Sequence, residues 1–275
     1  MSTLLKYAGN KQNLMSQIRP FLGDWQGVKR YIEPFAGALG SSFNAGVPAE
    51  IQVVLSDANS ELVEFYQAVK ENPGEVEKIA NSLPVGEEGY YSVRSWDREP
   101  NWKLKYSLFQ RGARTIYLNK RGFNGLYRIN KKGFFTTPWN RNPAPPKIVV
   151  QENVAFLQFL NRAQIAHASW RNVIANTGEG DVVYCDPPYV DLKNPEQNFG
   201  GYIGSFDLNE QRELRDALQL ANKRGARVII SNSYCEETRQ LYKNWRVEVV
   251  IANRKLASSN SARGETPEIL ALLES

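Results

Sequence analysis

Asp186-Pro187-Pro188-Tyr189 closes the run Asp181-Val182-Val183-Tyr184-Cys185. The run reads as a buried strand, and the prolines end it because Pro has no ladder donor and a fixed φ. A carboxylate, a proline-held carbonyl and an aromatic ring therefore gather at the carboxyl end of a strand, where open α/β sheets bind ligands. An exocyclic amine offers two N–H donors, which the Asp186 carboxylate and the Pro187 carbonyl could accept. Tyr189 could stack on the planar ring that carries the amine. Four residues would equally serve as a plain Pro-Pro turn, so the chemistry requires a cofactor loop and a substrate surface elsewhere in the chain.

The elements around the corner supply such a loop. Tyr31-Ile32-Glu33-Pro34-Phe35 reads as a strand leading through Ala36-Gly37-Ala38-Leu39-Gly40 to a helix start at Ser41-Ser42. Glycines let backbone approach a ligand, and a helix N-terminus follows. A second strand, from Gln52 to Ser56, ends at Asp57, about twenty residues past the loop, where an acid can bond ribose hydroxyls. The spacing is Gly-x-x-Gly after Pro-Phe and not Gly-x-Gly-x-x-Gly, which disfavours a dinucleotide. A helix is expected from about Gln12 to Leu22, and Leu62, Phe65, Tyr66 and Val69 mark another over Ser60 to Lys70. Further on, a helix at about Leu208 to Arg224 precedes strands at Arg227 to Ile230, Val247 to Ile251 and Glu268 to Leu272. Strand, loop, helix, strand and acid in this order indicate a nucleotide-type α/β unit.

Composition narrows the class. With 275 residues and 42% hydrophobic content, the chain can build one sizeable core or a core with a smaller appended domain. Cys185 and Cys235 are too few for a disulfide framework or a zinc site, and His167 is the only histidine. No metal is expected. No apolar run is long enough to span a bilayer, and the first residues lack a signal-peptide pattern. A soluble protein of a reducing compartment, the cytoplasm of a bacterium or a phage-infected cell, is the expectation.

Charge is unevenly spread. Between Pro100 and Ile148 stand eleven Lys and Arg residues and no acid, while the whole chain carries +5, so the remainder is net −6. A solvated face usually mixes signs; a cationic block points to a polyanion. The same region has a helix at Arg111 to Leu118. Alternation through Gly125 to Asn130 and Phe134 to Thr137, around Lys131-Lys132-Gly133, predicts a β-hairpin. Asn142-Pro143-Ala144-Pro145-Pro146 reads as a stiff linker.

Taken together, these motifs resemble the Dam-family (D12 class) adenine-N6 DNA methyltransferases over nearly the whole chain. Lys6-Tyr7-Ala8-Gly9-Asn10-Lys11 is similar to the family's N-terminal motif, with Tyr7 where tryptophan is frequent and Asn10 where a second glycine is usual. Pro34 to Gly40 resembles its methionine-binding loop, although that loop commonly carries more glycine. Asp57-Ala58-Asn59 resembles its ribose-binding acid, and Leu118-Asn119 through Pro138 its DNA-reading hairpin. Ser258-Ser259-Asn260 and the final strand resemble its C-terminal end.

The resemblance implies a class I S-adenosylmethionine-dependent methyltransferase. Its α/β fold is a Rossmann-like mixed sheet with helices on both faces and an inserted helical and β-hairpin DNA-recognition domain. Residues 1–59 and 148–275 would form the catalytic domain, and 60–147 the target-recognition domain. Catalytic candidates are Asp186, Pro187, Pro188 and Tyr189. Candidates for binding S-adenosylmethionine are Tyr7, Ala8, Gly9, Lys11, Glu33, Pro34, Phe35, Gly37, Gly40, Asp57 and Asp186. Candidates for binding DNA are Lys6, Asn119, Phe123, Asn124, Leu126, Arg128, Pro138 and Arg141. Arg128 would grip a guanine edge, Leu126 and Pro138 a thymine methyl, and Phe123 would wedge into the stack. Lys103, Lys105, Arg114, Lys120 and Lys131 would meet phosphates.

The implied partner is double-stranded DNA, the implied site GATC and the implied state a monomer. Rival readings are another amine substrate (cytosine N4, RNA or a protein glutamine) and a catalytically silent DNA-binding relative. The basic insert speaks against the first, and the intact Asp57, Asp186 and Tyr189 against the second.

Overall fold

A computed structural model describes residues 2–7, 9–130, 132–189, 206–254 and 264–274. Ala8, Lys131 and Ser258-Ser259-Asn260 lie outside the described residues. A 3₁₀ turn at Lys11–Asn13 precedes α1 (Met15–Leu22), β1 (Arg30–Glu33), α2 (Gly40–Asn44), β2 (Gln52–Asp57) and α3 (Ser60–Glu71). Then come α4 (Pro73–Ser82), α5 (Gly86–Arg94), α6 (Trp102–Lys105) and α7 (Leu108–Arg121). The remainder is α8 (Val154–Arg162), β3 (Ala163–His167), α9 (Trp170–Ala175), β4 (Asp181–Cys185), α10 (Leu208–Lys223), β5 (Arg227–Ser233), α11 (Glu236–Leu241), β6 (Arg246–Arg254) and β7 (Gly264–Leu273).

The strands form one seven-stranded sheet in the order β3-β2-β1-β4-β5-β7-β6. β1 to β5 pair in parallel, and β7 runs antiparallel between β5 and β6. Side chains alternate across a strand, so the apolar runs feed two cores. Tyr31, Val53, Val182, Tyr184 and Leu270 face one, and Ile32, Val183, Cys185, Ile230 and Ile269 the other. The strand order reverses between β1 and β4, and at such a switch point the connections diverge and leave a crevice.

The first core continues without a break into the helical segment, through Tyr90, Ala113, Ile116 and Tyr117. α3 is shared: it packs on β2, β3 and α8, and also on α7. Asn59 caps α3, its side chain accepting from the Glu61 and Leu62 N–H groups, and Ser107 with Gln110 forms a capping box on α7.

The expected hairpin is a looser object. Residues 122–139 make antiparallel bridges at Gly122–Trp139 and Ile129–Phe135, with Thr136 N–H donating to the Arg128 carbonyl at 2.8 Å. A turn at Phe123–Gly125, with Asn124 at φ 55°, interrupts any regular ladder. Three elements had weak local signals: β3, an exposed edge strand whose alternation is poor, and the short helices α6 and α9.

Candidate active site

Chain segments from five strand ends converge at the crevice. Beyond β1, Pro34 to Gly40 forms a tight loop. Gly37 lies at φ +49°, with the Tyr7 ring 3.6 Å from where a Cβ would stand. A methyl on Gly40 would collide with the Asn10 side chain, whose amide oxygen would lie 1.6 Å away. Leu39, fully buried, also adopts the left-handed region at φ 60°, a costly conformation for a side-chain-bearing residue. Asp57 at the end of β2 accepts from Gly37 N–H and Asn59 N–H, both at 2.8 Å. Burial pushes its pKa up, and these two bonds oppose the rise.

The loop, Asp57 and the corner after β4 wall a cavity of about 580 Å³, within the usual range for a small-molecule site. Tyr7, Gly9, Lys11, Pro34, Phe35, Gly37, Gly40, Asp57 and Asp186 line it together with Pro188. Glu33 does not. It stands behind the loop, nearly sealed from solvent, accepting from Tyr31 Oη at 3.1 Å and from Ser41 Oγ. Burial pushes Glu33 up to about 8, so it is protonated at neutral pH.

The corner is an ionic cluster. Lys11 Nζ lies 3.1 Å from Asp186 Oδ1 and 3.3 Å from Glu268 Oε2, donates to the Gly9 carbonyl at 3.3 Å, and sits 4.5 Å from the Tyr189 ring centre. Tyr189 Oη donates to Glu268 Oε2 at 2.9 Å, and Ser231 Oγ donates to Asp186 Oδ1 at 2.8 Å. Gln211 donates to the Pro188 carbonyl at 2.8 Å and is itself held by Asn232 at 3.0 Å. Burial raises the Asp186 pKa above the ordinary carboxylate range, Lys11 pulls it back, and Glu268 raises it again.

Glu268 had no motif to announce it. It reaches the corner because β7 runs antiparallel, which brings its early residues to the edge where β4 and β5 end. Ser231, in the stretch following Arg227, is on β5 and does reach the corner.

The DNA-side candidates divide. Lys6, Phe123, Arg128, Pro138 and Arg141 are exposed, Asn124 and Leu126 partly so. Phe123 N–H donates to the Pro138 carbonyl at 2.8 Å, joining the two ends of the reading segment. Asn119 is corrected. Its buried amide accepts from Lys6 N–H at 2.9 Å and donates to the carbonyls of Lys6 and Gly125 at 2.6 and 3.0 Å. With both ends committed to backbone, it fastens the loop at Gly125 to the N-terminal motif and has no polar group left to offer a base.

Tyr127, next to Arg128, points the other way: it lines the cavity and donates to Asn59 Oδ1 at 3.3 Å. Also along the cavity, beyond what the motifs identified, are His167 to Asn172, Phe206 and Glu210.

The phosphate expectation is corrected for Arg114; Lys103 and Lys105 are exposed but carry acid partners, Lys120 has none among the described residues, and Lys131 lies outside them. Lys103 and Arg111 pair with Glu64, Lys105 with Glu99, and Lys147 with Glu77. Arg114 is fully buried between Glu61 and Asp97. Much of the cationic block is thus neutralised by acids at 61–99, just outside it. Among the described residues, Lys6, Lys120, Arg128, Lys132 and Arg141 have no ion pair within 4 Å.

A parallel sheet ended by an antiparallel pair, with a Gly loop and an acid at its switch point and the Asp186-Pro187-Pro188-Tyr189 corner beside them, defines a class I methyltransferase fold. The chain belongs to the D12 class N6 adenine-specific DNA methyltransferases, whose family model matches residues 7–256. It is 34% identical to a DNA adenine methylase of Vibrio cholerae, over 98% of this chain and 94% of that one. It is 34% identical to a DNA N-6-adenine-methyltransferase of Escherichia phage P1 over 98% of its length, but spans only 35% of that relative. A type II methyltransferase of Lactococcus lactis subsp. cremoris is 31% identical, with 96% of this chain and 93% of the relative covered. The protein is therefore an enzyme that methylates adenine N6 in DNA. No described helix is long and apolar enough to cross a membrane. Among the described residues no group of three or more His, Cys, Asp or Glu side chains could hold a metal.

Proposed function

We propose that the enzyme takes its methyl group from S-adenosylmethionine and delivers it to an adenine turned out of duplex DNA within GATC. The observation that carries this reading is Asp186: it lines the cavity, and its Oδ1 is held by Lys11 and Ser231. The cavity's lining suits the cofactor. Asp57 stands at the ribose position after β2, and the Tyr7 ring against Gly37 supplies an aromatic wall. When bound, S-adenosylmethionine supplies a methyl on a sulfonium, a good leaving group that needs no covalent enzyme intermediate.

The difficulty lies in the nucleophile, because the N6 lone pair is delocalised into the ring. Asp186 Oδ2 and the Pro187 carbonyl accept the two N–H donors, favour a pyramidal nitrogen and stabilise its developing charge. As the N–C bond forms, N6 must shed a proton, and Asp186, with its raised proton affinity, is placed to receive it. Tyr189 stacks on the base, its ring oriented by the bond to Glu268. Positioning of the two reactants supplies much of the rate.

Residues 60–147 serve as the recognition segment. Arg128 meets a guanine edge, Lys6 and Arg141 add base contacts, Leu126 and Pro138 touch a thymine methyl, and Phe123 fills the space the adenine leaves. One flipped base needs one site, so the enzyme acts as a monomer, methylating a palindrome in two events. The test is incubation with S-adenosylmethionine and unmethylated plasmid, followed by single-molecule sequencing of modified bases. N6-methyladenine confined to GATC is expected. Another short motif would refute the assigned site, and no modification despite cofactor binding would refute the donor-and-substrate pair.

A further inference from the structure

Among the described residues of 60–147, one lines the cofactor cavity, and it is Tyr127. Its hydroxyl donates to Asn59 Oδ1 at 3.3 Å. Asn59 N–H donates in turn to Asp57 Oδ1, and the other oxygen of Asp57 accepts from Gly37 N–H. The Tyr127 ring centre stands 6.5 Å from that of Tyr7, a second cavity residue, and the ring meets the buried Phe135 edge-on at 5.4 Å.

The next residue is Arg128, which is exposed. Neighbours in sequence thus serve opposite sides, one the cavity and one the solvent. Residues 122–139 have isolated bridges in place of a regular ladder, so side-chain anchors must fix their position. Asn119 on Gly125, Tyr90 on Thr137 and Asp97 on Phe135 are such anchors, and none of the three lines the cavity. Tyr127 is the anchor that an occupant of the cavity can touch.

We propose that Tyr127 is a positioning residue that couples the cofactor cavity to base reading. An occupant packed against its ring, with the hydroxyl held by Asn59, restricts the backbone that carries Arg128 and so sharpens the choice of guanine. The inference rests on S-adenosylmethionine being the cofactor and on Arg128 meeting a guanine edge. Coupling of two sites is reciprocal: cognate DNA must tighten the cofactor by the factor with which the cofactor tightens cognate DNA. Tyr127 needs no contact with the reacting atoms.

DNA affinity tests it without turnover, read by fluorescence anisotropy with and without saturating S-adenosylhomocysteine, the demethylated product of the donor. In the wild type this ligand should tighten a duplex holding the methylated site about tenfold, and a duplex altered at one G·C pair of that site less than about threefold. Tyr127→Leu should bring the cognate factor below about twofold. Tyr127→Phe keeps the ring packing, loses the bond to Asn59, and should retain a factor of about three. A role in the cavity wall or the core alone would lower affinities and leave the factor as it is. An undiminished factor in either variant overturns the proposal.

A measurement on the wild type needs no variant to fold. Calorimetry of S-adenosylhomocysteine with and without the cognate duplex should return the same factor of about ten. Equal factors for the cognate and altered duplexes would separate the cavity from base reading and overturn the proposal. A wild type that binds both ligands independently refutes the coupling alone. One that binds no S-adenosylhomocysteine refutes the cofactor assignment, and the coupling with it.

Discussion

Two triads, each of one cation between two carboxylates, stand in different regions of this enzyme. At the end of β4, Lys11 lies between Asp186 and Glu268; under α7, Arg114 lies between Glu61 and Asp97. The first opens on the cavity through Lys11 and Asp186. The second is sealed: Arg114 is fully buried and also donates to the carbonyls of Val93 and Arg94. Asp97 in turn accepts from Phe135 N–H at 2.6 Å, so this triad pins the segment around Phe135 to the helices. A buried ionic cluster is therefore not in itself a site. What separates the two is access to a cavity and an acceptor left for a substrate.

The largest effect expected from breaking the sealed triad is on stability. Arg114→Ala strands the buried Asp97 and the partly buried Glu61 and should cost about 3–5 kcal/mol. Urea unfolding would show it, and turnover per folded molecule should stay near normal. A loss of affinity for DNA with unchanged stability would instead restore Arg114 as a phosphate contact.

Arg128, exposed and without an ion pair among the described residues, belongs to neither triad. Arg128→Ala should cost about 1–3 kcal/mol of discrimination at one base pair, read from competition between cognate and singly altered duplexes. Lys132→Ala should weaken all sequences alike and lower the salt slope by about one. Identical behaviour of the two variants would remove Arg128 from base reading.

A further expected effect concerns Glu33. Its native pKa of about 8 exceeds the ordinary carboxyl value near 4.5, so the native state binds more protons between those limits. Stability should be complete below the lower limit and decline as pH rises through about 8. Glu33→Gln should flatten that decline in thermal melts at pH 6 and 8.5. Parallel curves for the two proteins would show that Glu33 ionises freely.

The contrast between the triads also marks what could be read in the sequence. The cofactor loop, Asp57 and the Asp186 corner are local patterns tied to strand ends, and a strand followed by Gly or Pro-Pro is visible residue by residue. The alternation of strands and helices indicated a nucleotide-type α/β unit, and the finer fold class came from the family resemblance. Glu268 was invisible because its place depends on β7 turning antiparallel, a long-range event. The basic block misled for a related reason. Counting charges within residues 100–148 left out Glu61, Glu64, Glu77, Asp97 and Glu99, which the packing of α3, α4 and the segment after α5 brings against it. Asn119 was expected at the DNA because it lies in the reading motif, yet its partners are backbone atoms of Lys6 and Gly125.

The most direct test of the account is single-turnover methylation by Asp186→Asn, with cofactor and DNA binding measured in parallel. The account predicts a chemical rate at least about a hundredfold lower, with both affinities within a few-fold of wild type. A near-normal rate would show that the carboxylate after β4 is not the group that activates the adenine amine.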